Sequence, residues 1–561
     1  MDNSKGKVIF VNPCLDYEGE GEGVRSDSKV YPYPGLMILA SVLAQADYNA
    51  KLIDSNLYSG EEFRRRLYRE IDDDVIFVGF GLMTVNVTWS YKIITEIKSR
   101  FPNIKIAVGG FHPTLFPDQM IEDENIDIVA LNESASIIIP LTDALRINGD
   151  LSEVNGIYYK KDGVIHRNPP NEVLDGVKEV PFINLDLIEH EQYSRNNVIL
   201  FPYFPKKKEE YIAYPILTSF GCPYKCTFCI NAILERAYRY RSAESIVDRI
   251  EYLIKEHNAN FIILQDEEFC INKKRFIRFV ELVEERGLKF HWRTSLRVSN
   301  FRPDYIDDDL AQRLQNIGMV SAVMGGESGS QRILDEIKKE VSVEEIIYAM
   351  EALSKTTIVP KISFMVGMPG ETDEEVQETY SLCIKLKKHF LKQNKIADIG
   401  VFPFRLYPGS PLFDKAINDL GLKPETRSLK EMCTAVDGAE LKEGMGYEPI
   451  YKSYIKDPKK FEDMLFIYDY FIWLNQKRTN VLRNLFEVIA MFRIKNRFYH
   501  GVFIERAMVK TAREIRNSYR RIRSKWRAFK SSFSKQPEIK PEFPTDMISE
   551  LQVETDSGTE F

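Results

Sequence analysis

Three cysteines on one short loop constrain this chain more than any other feature. Cys222, Cys226 and Cys229 follow the spacing CxxxCxxC within the run Thr218-Ser-Phe-Gly-Cys-Pro-Tyr-Lys-Cys-Thr-Phe-Cys. Four thiolates close a tetrahedral structural zinc site, whereas three thiolates on an iron–sulfur cube leave one iron without a protein ligand. The spacing predicts a [4Fe-4S] cluster with one open iron. A zinc loop with a distant fourth ligand, or three thiols without a joint role, are the alternatives that spacing alone leaves open.

The remaining cysteines and the composition indicate a reduced, globular, multidomain protein. The other four cysteines are scattered singly, as Cys14, Cys270, Cys383 and Cys433, which argues against a disulfide framework and a second cluster motif. A chain of 561 residues with 44% hydrophobic and 28% charged residues is expected to form two or three domains. Thiolates that must stay reduced favour the cytoplasm. No signal-peptide pattern and no apolar run of about 18–20 residues is visible, so we expect a cytoplasmic protein without a membrane-spanning helix.

The first 150 residues alternate short β-branched runs with helical patterns. Five β/α units of this kind predict a doubly wound parallel sheet, a Rossmann-like domain. The predicted strands are Lys7–Val11, Ala50–Asp54, Val75–Phe80, Ile104–Val108 and Asp127–Leu131. Ligands on such sheets bind at the carboxyl ends of the strands. Glycines at those ends, such as Gly79, Gly109 and Gly110, allow a ligand to approach the backbone closely.

A second β/α series follows a connecting segment over residues 151–210. Its six units, over residues 211–420, predict a partial (β/α)6 barrel. The predicted strands are Ile212–Ser219, Phe261–Gln265, Phe290–Arg297, Val320–Met324, Ile358–Val366 and Ile396–Phe404. The three cysteines come directly after the first of these strands, where a barrel carries its active loops.

The C-terminal part differs from the rest in both pattern and charge. Residues 421–534 read as a helical, aromatic-rich domain, and residues 535–561 as an acidic, disordered tail. Between Arg493 and Lys530 there are 13 Lys and Arg against 2 Asp and Glu, a local charge of +11 in a chain of net charge −7. The remainder of the chain therefore carries −18. Helices of this composition either cap the barrel or dock on anionic lipid.

Residues 5–420 together resemble the cobalamin-dependent radical S-adenosylmethionine (SAM) enzymes. The cluster motif matches at Cys222, Cys226 and Cys229, and Arg239-Tyr-Arg-Ser242 matches the usual entry to the first barrel helix. The resemblance implies a partial barrel in which the open iron binds SAM. The positions that match the family's SAM contacts are Phe228, Asp266, Glu267, Arg297, Gly325, Gly326, Glu327 and Gly367.

The resemblance also implies a role for each of these side chains. Phe228 packs by the adenine, and Asp266 and Glu267 face the SAM ammonium. Arg297 meets the SAM carboxylate, and Glu327 the ribose. Each role has a simpler alternative: core packing for Phe228, a solvated loop for the acidic pair, and a helix cap for Glu327.

The N-terminal match implies a cobalamin-binding domain but departs from the common motif. The first loop, Asn12-Pro-Cys-Leu-Asp-Tyr-Glu-Gly, lacks the DxHxxG histidine that ligates cobalt in many cobalamin proteins. We therefore expect cobalamin without a protein histidine on cobalt. The candidate cobalamin contacts are Gly81, Leu82, Thr84, Gly109, Gly110 and His112. A structural role for His112 and an empty, vestigial domain are the alternatives.

The family's commonest outcome is methyl transfer to an unactivated carbon, in which one SAM methylates cobalamin and a second SAM supplies the 5′-deoxyadenosyl radical. Radical cyclisation or oxidation without methyl transfer is the sister outcome. A non-catalytic protein that binds RNA or a membrane through its basic region is a third possibility. The implied partners are a small-molecule substrate, with a lipid or isoprenoid as one candidate, an external low-potential electron donor and a peripheral membrane contact. A nucleic-acid partner is not expected, because no RNA-binding motif accompanies the charge.

The cysteine spacing generates the first test. After anaerobic reconstitution with iron and sulfide, the chain should hold about four irons, and the Cys222→Ala, Cys226→Ala, Cys229→Ala triple variant almost none. Cys383→Ala, a thiol outside the motif, should retain the iron of the parent chain. Metal analysis that finds about one zinc and no iron would favour the zinc loop instead.

Overall fold

The computed structural model describes most of the chain up to residue 507. The described residues are 5–14, 34–58, 60–171, 180–196, 210–234, 237–405, 409–420, 428–434, 455, 457–474, 481–507 and 511. The chain divides into two compact units, residues 1–496 and 497–561. The predicted tail over residues 535–561 and most of the basic stretch after Arg493 lie outside the described residues.

The first sheet has seven strands in the order β2-β1-β3-β4-β5-β6-β7. Its strands are β1 Lys7–Asn12, β2 Asn49–Asp54, β3 Val75–Gly81, β4 Ile106–Gly109, β5 Ile128–Ala130, β6 Ile157–Lys161 and β7 Val164–Arg167. Strands β1 to β5 are parallel, which confirms the predicted doubly wound arrangement. Strands β6 and β7 form an antiparallel hairpin that extends the sheet beyond β5. In the sequence this hairpin falls within the predicted connecting segment over residues 151–210, because an edge hairpin has no β/α pattern.

Helices cover both faces of this sheet. They are α1 Pro34–Gln45, α2 Gly60–Glu70, α3 Val87–Arg100, α4 Phe111–Leu115, α5 Pro117–Glu122 and α6 Ile138–Arg146. Alternate residues of β1 enter two separate cores: Ile9 and Val11 pack on one face, and Val8 and Phe10 on the other. A strand buried on both faces reads as a continuous apolar run, which is why these strands are visible in the sequence.

The connecting segment is tied to the first sheet by a buried polar group. Helix α7, His190–Asn196, places Tyr193 so that its hydroxyl donates a hydrogen bond to Asp54 at the end of β2. The side-chain amide of Asn12, at the end of β1, donates to the same carboxylate at 2.6 Å. Burial raises the pKa of Asp54, and these hydrogen bonds oppose that shift. The segment is therefore anchored at the carboxyl edge of the sheet.

The second sheet contains all six predicted barrel strands in the order β15-β14-β13-β12-β11-β8. They are β8 Ala213–Ile216, β11 Phe261–Leu264, β12 His291–Ser295, β13 Met319–Glu327, β14 Val359–Val366 and β15 Asp398–Pro403. Every neighbouring pair is parallel, so the six carboxyl ends form one rim. A short antiparallel ribbon, β9 Ser219–Phe220 and β10 Arg239–Tyr240, flanks the cysteine loop.

Helices alternate with these strands, as the sequence predicts. They are α8 Asn231–Leu234, α9 Ala243–His257, α10 Lys273–Glu285, α11 Asp308–Asn316, α12 Gln331–Glu336, α13 Val343–Ser354, α14 Asp373–Lys392 and α15 Pro411–Leu420. Several begin at residues whose side chains cap the first turn. Ser342 before α13 and Thr372 before α14 each form a capping box with a glutamate three residues later.

The helices after the barrel pack back on both domains. Helix α16, Leu429–Thr434, buries Leu429 in a core of the first sheet. The aromatic helix Pro458–Leu474 stacks Tyr468 on Tyr380 of α14, with ring centroids 3.8 Å apart, and a further helix spans Val481–Lys495. The aromatic helix Pro458–Leu474 therefore packs against α14 of the barrel, and the predicted barrel cap stays a prediction. In the described part of the chain, no helix is long and apolar enough to cross a membrane.

Two glycines that follow helices offer a matched test of the barrel backbone. Both have positive φ, +89° at Gly318 and +60° at Gly287. A Cβ at Gly318 would lie 2.0 Å from the carbonyl oxygen of Phe290, whereas a Cβ at Gly287 would meet nothing within 4 Å. Gly287→Ala should cost about 1 kcal/mol through the left-handed backbone alone, and Gly318→Ala roughly 1–3 kcal/mol more through the clash. Equal thermal unfolding midpoints for the two variants would contradict this local geometry.

Candidate functional site

The cysteine loop lies between the first and second barrel strands and is held from several sides. The Thr227 N–H donates to the carbonyl of Ile337, and the Leu412 N–H donates to the carbonyl of Thr227. The Cys229 N–H donates to the carbonyl of Cys226, which closes a tight turn between the two cysteines. These contacts reach the loops after β13 and β15, so the loop is positioned by the far side of the barrel.

The three thiols form one electrostatic group. Burial raises the pKa of Cys222, and it raises the pKa of Cys229 to about 11. Negative charge on neighbouring cysteines and on Glu267 raises both pKa values further. Hydrogen bonds from backbone N–H groups, of Tyr224 to Cys222 and of Asn231 to Cys229, lower them. Thiols of this kind stay protonated at neutral pH unless metal cations replace the protons. The donor set therefore fits a soft metal cluster.

All seven cysteines are free thiols, as the sequence analysis expects. Within the described ranges, no three His, Cys, Asp or Glu side chains are placed to hold a single metal ion. A cluster differs from a single ion because each thiolate binds its own iron, so the three sulfurs need not converge on one point.

Asp266, at the end of β11, holds the start of the cysteine loop. Its carboxylate accepts hydrogen bonds from the N–H of Thr218 at 2.7 Å, the N–H of Ser219 at 2.8 Å and the hydroxyl of Thr218. Arg275 lies 3.8 Å away on the same carboxylate. Burial raises the pKa of Asp266, and Arg275 opposes that shift. Its oxygens are thus engaged by the loop, and its predicted contact with the SAM ammonium stays a prediction.

The next two acids have contrasting environments. Glu267 is exposed, and its charge acts on Cys222 and Cys229. Its predicted contact with the SAM ammonium stays a prediction. Glu268 is buried, with 3% of its surface exposed, and accepts a hydrogen bond from the Cys270 N–H at 2.7 Å. Its other oxygen, Oε2, has no hydrogen-bond partner among the described residues. Burial raises the pKa of Glu268 to about 7, against the opposing charges of Arg297 and Arg275.

Arg297, after β12, contacts the cysteine loop through an aromatic ring. Its guanidinium lies 3.6 Å from the ring centroid of Tyr224, which stands between the first two cysteines. It also donates hydrogen bonds to the backbone carbonyls of Lys339 and Glu340. Arg297 therefore joins the loop after α12 to the cysteine loop. Its predicted contact with the SAM carboxylate stays a prediction.

Glu327 ends β13 in a left-handed conformation with φ of 61°. Its Oε1 accepts a hydrogen bond from Nζ of Lys339 at 2.8 Å, and both side chains are about nine-tenths buried. A Cβ at Gly325 would lie 2.0 Å from that oxygen. The residue that precedes α12 as its N-cap is Ser330, so the structure does not give Glu327 the alternative role of a cap. The predicted ribose contact of Glu327 stays a prediction.

The other predicted SAM positions are packed at the same rim. Phe228 is half-buried against a cluster that includes Met368, Phe404 and Leu412, which is the packing alternative of the sequence analysis. A Cβ at Gly326 would lie 2.8 Å from the ring of Phe364. At Gly367, with φ of 82°, a Cβ would lie 2.7 Å from the ring of Phe461. A side chain at either glycine would clash with a neighbouring aromatic ring, whether or not a ligand is bound.

A large cleft separates the carboxyl edge of the first sheet from the barrel. It encloses about 1560 Å³ including its mouth and is mostly apolar. Four predicted cobalamin contacts line it, Gly81, Leu82, Gly109 and Gly110. From the barrel side it is lined by Leu217, Phe220 and Glu267. The cavity proper is about 400 Å³, within the roughly 300–1,000 Å³ of ordinary ligand pockets, and the open mouth extends it.

One end of this cleft carries a neutralised acid. Glu133 lines the cleft, and Arg239 of β10 lies 2.5 Å from both of its carboxylate oxygens. The pair links the loop after β5 to the ribbon beside the cysteines. Its charges cancel, so the cleft stays suited to a large, mostly uncharged surface.

His112 and Thr84 are not among the residues that line the cleft, and their predicted cobalamin contacts stay predictions. His112 is fully buried in α4, stacks near Phe116 at 4.9 Å and has Nδ1 3.2 Å from the hydroxyl of Thr84. Burial lowers the pKa of His112 to about 4, so the ring is neutral. This burial is what the structural alternative stated above expects.

Three residues that organise the site are absent from the sequence-based predictions. Tyr224 and Lys339 contact Arg297 and Glu327, and Glu268 lies buried behind the cysteine loop. Tyr224 lies inside the motif and was visible. Lys339 belongs to the charged run Lys338-Lys-Glu340, which looks like a solvated surface in sequence. Only its burial against Glu327 distinguishes it.

Comparisons with known proteins agree with the two domains. A family model described as "Radical SAM superfamily" matches residues 216–383. A model described as "B12 binding domain" matches residues 24–138. The first covers the cysteine loop and the strand ends up to Gly367, and the second covers the predicted cobalamin contacts.

The sequence similarity to curated relatives extends over about two thirds of the chain. It is 28% identical over 393 residues to an uncharacterized methyltransferase of Pyrococcus horikoshii, a match that covers 69% of this chain and 78% of that protein. It is 29% identical over 387 residues to the anaerobic magnesium-protoporphyrin IX monomethyl ester cyclase of Rubrivivax gelatinosus. That match covers 67% of this chain and 65% of the cyclase, so the chain spans less than two thirds of the cyclase's length.

A solved structure has a similar fold over most of the chain. The cobalamin-dependent SAM radical enzyme OxsB, with aqua-cobalamin and SAM bound, superposes with a TM-score of 0.60 at 18% identity. The match covers 88% of this chain and 76% of OxsB. At this identity the likeness concerns the fold.

Glu268 generates a test by pH. Because its pKa lies above the ordinary value of 4.5, the folded chain favours the protonated carboxyl, and its stability should fall as pH rises from 4.5 to about 7. Glu268→Gln keeps an acceptor for the Cys270 N–H and cannot ionise. Its free energy of unfolding should be close to that of the parent chain at pH 5 and exceed it at pH 8 by up to about 3 kcal/mol. A constant difference between pH 5 and pH 8 would show that Glu268 does not titrate in this window.

Proposed function

Because the chain belongs to the cobalamin-dependent radical SAM enzymes, we propose that it transfers a methyl group to an unactivated carbon of a small-molecule substrate. The observation that carries the proposal is that the cysteine loop and the cleft are adjacent. Glu267 lines the cleft and acts electrostatically on two of the three cysteines. The relative in Pyrococcus horikoshii, described as a methyltransferase, supports the same outcome.

The cofactors of the enzyme are a [4Fe-4S] cluster, SAM and cobalamin. Cys222, Cys226 and Cys229 would hold the cluster, and the cleft lined by Gly81, Leu82, Gly109 and Gly110 would hold cobalamin. When bound, these groups supply reductive cleavage of SAM to a carbon radical and a carrier for the methyl group.

The chain's own residues bind, orient and exclude water. Asp266 and Arg297 hold the cysteine loop to the ends of β11 and β12, which fixes its position relative to the cleft. Glu267 presents an exposed carboxylate beside the thiols, where it can accept hydrogen bonds from the SAM ammonium. The mostly apolar lining of the cleft limits the access of water to the place where the carbon radical forms.

The overall reaction balances with two SAM molecules and two electrons. A substrate C–H bond is replaced by a C–CH3 bond, and S-adenosylhomocysteine, methionine and 5′-deoxyadenosine are released. The hydrogen leaves the substrate carbon and ends on 5′-deoxyadenosine. Both electrons come from an external low-potential donor, which we propose as a transient partner.

Radical cyclisation without methyl transfer is the second candidate function. The observation that favours it is the similarity to anaerobic magnesium-protoporphyrin IX monomethyl ester cyclases, of which this chain spans 65% in one case. The two routes differ in one product, because only methyl transfer from SAM yields S-adenosylhomocysteine.

A peripheral contact with anionic lipid is a further proposal about partners, and it would suit a lipid or isoprenoid substrate. It rests on the charge of +11 between Arg493 and Lys530. Basic residues near an anionic membrane each contribute about 1 kcal/mol. Most of these residues lie outside the described part of the chain, so the argument rests on composition.

Product analysis tests the proposed function. The chain, purified anaerobically with cobalamin supplied and then reduced, should convert SAM to 5′-deoxyadenosine and S-adenosylhomocysteine. The triple cysteine variant should lose 5′-deoxyadenosine, and Cys383→Ala should not. 5′-Deoxyadenosine without S-adenosylhomocysteine would favour cyclisation, and neither product from cofactor-loaded protein would reject both routes.

A cleft variant adds a readout that is independent of turnover. A Cβ at Gly109 meets its nearest atoms at 3.5 Å, an ordinary contact, so Gly109→Phe can fold and fill the cleft. This variant should lose cobalamin absorbance, while Lys51→Phe, at an exposed position of β2, should keep it. Full cobalamin retention in Gly109→Phe would place the cofactor elsewhere.

A further inference from the structure

A second cavity opens inside the barrel, next to the cleft. It has a volume of about 350 Å³ and lies at the carboxyl ends of β11 and β12, beside Val323 of β13. Its lining includes Gln265, Asp266, Arg293 and Ser295, together with Pro34 at the start of α1. Pro34 also lines the cleft, so this barrel cavity and the cleft adjoin.

Arg293, in the middle of β12, is a buried charge without a partner. Only 9% of its surface is exposed, and it lines the barrel cavity. No ion pair, hydrogen bond or ring contact engages its guanidinium among the described residues. Asp266 lines the same cavity, but its oxygens accept hydrogen bonds from Thr218 and Ser219. A buried unpaired charge is expensive, so its presence calls for a ligand.

The other buried arginines of the described chain show how this protein normally compensates such a charge. Arg239 pairs with Glu133, and Arg241 donates to the carbonyl of Val180. Arg275 donates to the carbonyl of Phe269, and Arg297 donates to the carbonyl of Lys339 and stacks on Tyr224. Arg293 departs from all four.

Two further polar groups near Arg293 have unused hydrogen-bonding capacity. Ser321 of β13 is the register neighbour of Arg293, so the two side chains point to the same side of the sheet, and its buried hydroxyl has no partner among the described residues. The side-chain oxygen of Gln265, at the end of β11, is likewise buried without one. The Ser321 hydroxyl can donate a hydrogen bond beside the guanidinium, whereas the oxygen of Gln265 can accept one from a ligand.

We propose that the barrel cavity is the substrate site and that Arg293 binds an anionic group of the substrate, a carboxylate or a phosphate, with Ser321 as an additional donor. The planar guanidinium presents two parallel N–H groups that match either anion. The inference rests on the proposed function in taking the barrel cavity as the place of the reacting substrate.

SAM also carries a carboxylate, and the test must separate the two sources. The probes are radiolabelled benzoate and SAM in equilibrium dialysis, with benzyl alcohol as the neutral competitor and benzoate or phenyl phosphate as anionic competitors. The protein is the full chain reconstituted with its cluster and cobalamin. The variants are Arg293→Gln, Arg293→Lys and, as a matched control, the exposed Arg302→Gln.

Benzoate should bind the parent chain, and phenyl phosphate should displace it where benzyl alcohol does not. Arg293→Gln should weaken benzoate binding about tenfold or more, Arg293→Lys should retain part of it, and Arg302→Gln should leave it unchanged. SAM affinity should stay within about twofold in every variant. A loss of SAM binding in Arg293→Gln would assign the guanidinium to SAM, and equal benzoate binding in the parent chain and Arg293→Gln would reject an anion site.

Stability separates a binding role from a structural one. Removing an unpaired buried charge should raise the unfolding midpoint, so Arg293→Gln should be more stable than the parent chain. A lower midpoint would indicate a structural partner and overturn the proposal. None of these readouts needs turnover: if SAM is never cleaved while benzoate binding depends on Arg293, the proposed function fails and the anion site stands.

Discussion

The parallel direction of the barrel strands is the constraint on which the rest of this protein depends. Because all six strands run the same way, the loops that follow them meet at one rim, although they are up to about 190 residues apart in the sequence. The cysteine loop is held at that rim by Asp266 after β11 and by Arg297 after β12. The carbonyl of Ile337, after α12, accepts a further hydrogen bond from the loop. A single loop with three thiols is thereby given a defined position by three other segments.

The first sheet follows the same rule and presents its own carboxyl edge to the barrel. The cleft between the two is lined from both sides, by glycine-containing loops after β3 and β4 and by Leu217, Phe220 and Glu267. The pair Arg239–Glu133 and the hydrogen bond from Tyr193 to Asp54 fasten this edge to the barrel and to the connecting segment. Two cofactors with different chemistry can therefore act on one substrate, because two independent sheets point their ligand-binding edges at each other.

Charge is used sparingly inside this arrangement. The buried acids and bases of the rim are paired with each other or with backbone groups, as for Glu327 with Lys339 and Arg241 with the carbonyl of Val180. Such pairs contribute more to the shape of the site than to its net stability, because desolvation offsets much of the attraction. Glu268, with one oxygen unpaired, and Arg293, with no partner among the described residues, differ from this pattern. Departures of this kind concentrate at functional sites.

The sequence by itself determined the elements and the cluster motif. The parallel strands are buried on both faces, so they read as continuous apolar runs, and the cysteine spacing is a local property of one loop. The edge hairpin β6–β7 was not assigned to the first sheet, because its burial comes from a neighbour that is distant in sequence. Only the tertiary structure decided the environments of Asp266, His112 and Arg293. Whether a polar side chain faces a ligand, a backbone N–H or the core depends on what packs around it, and that environment comes from segments tens to hundreds of residues away.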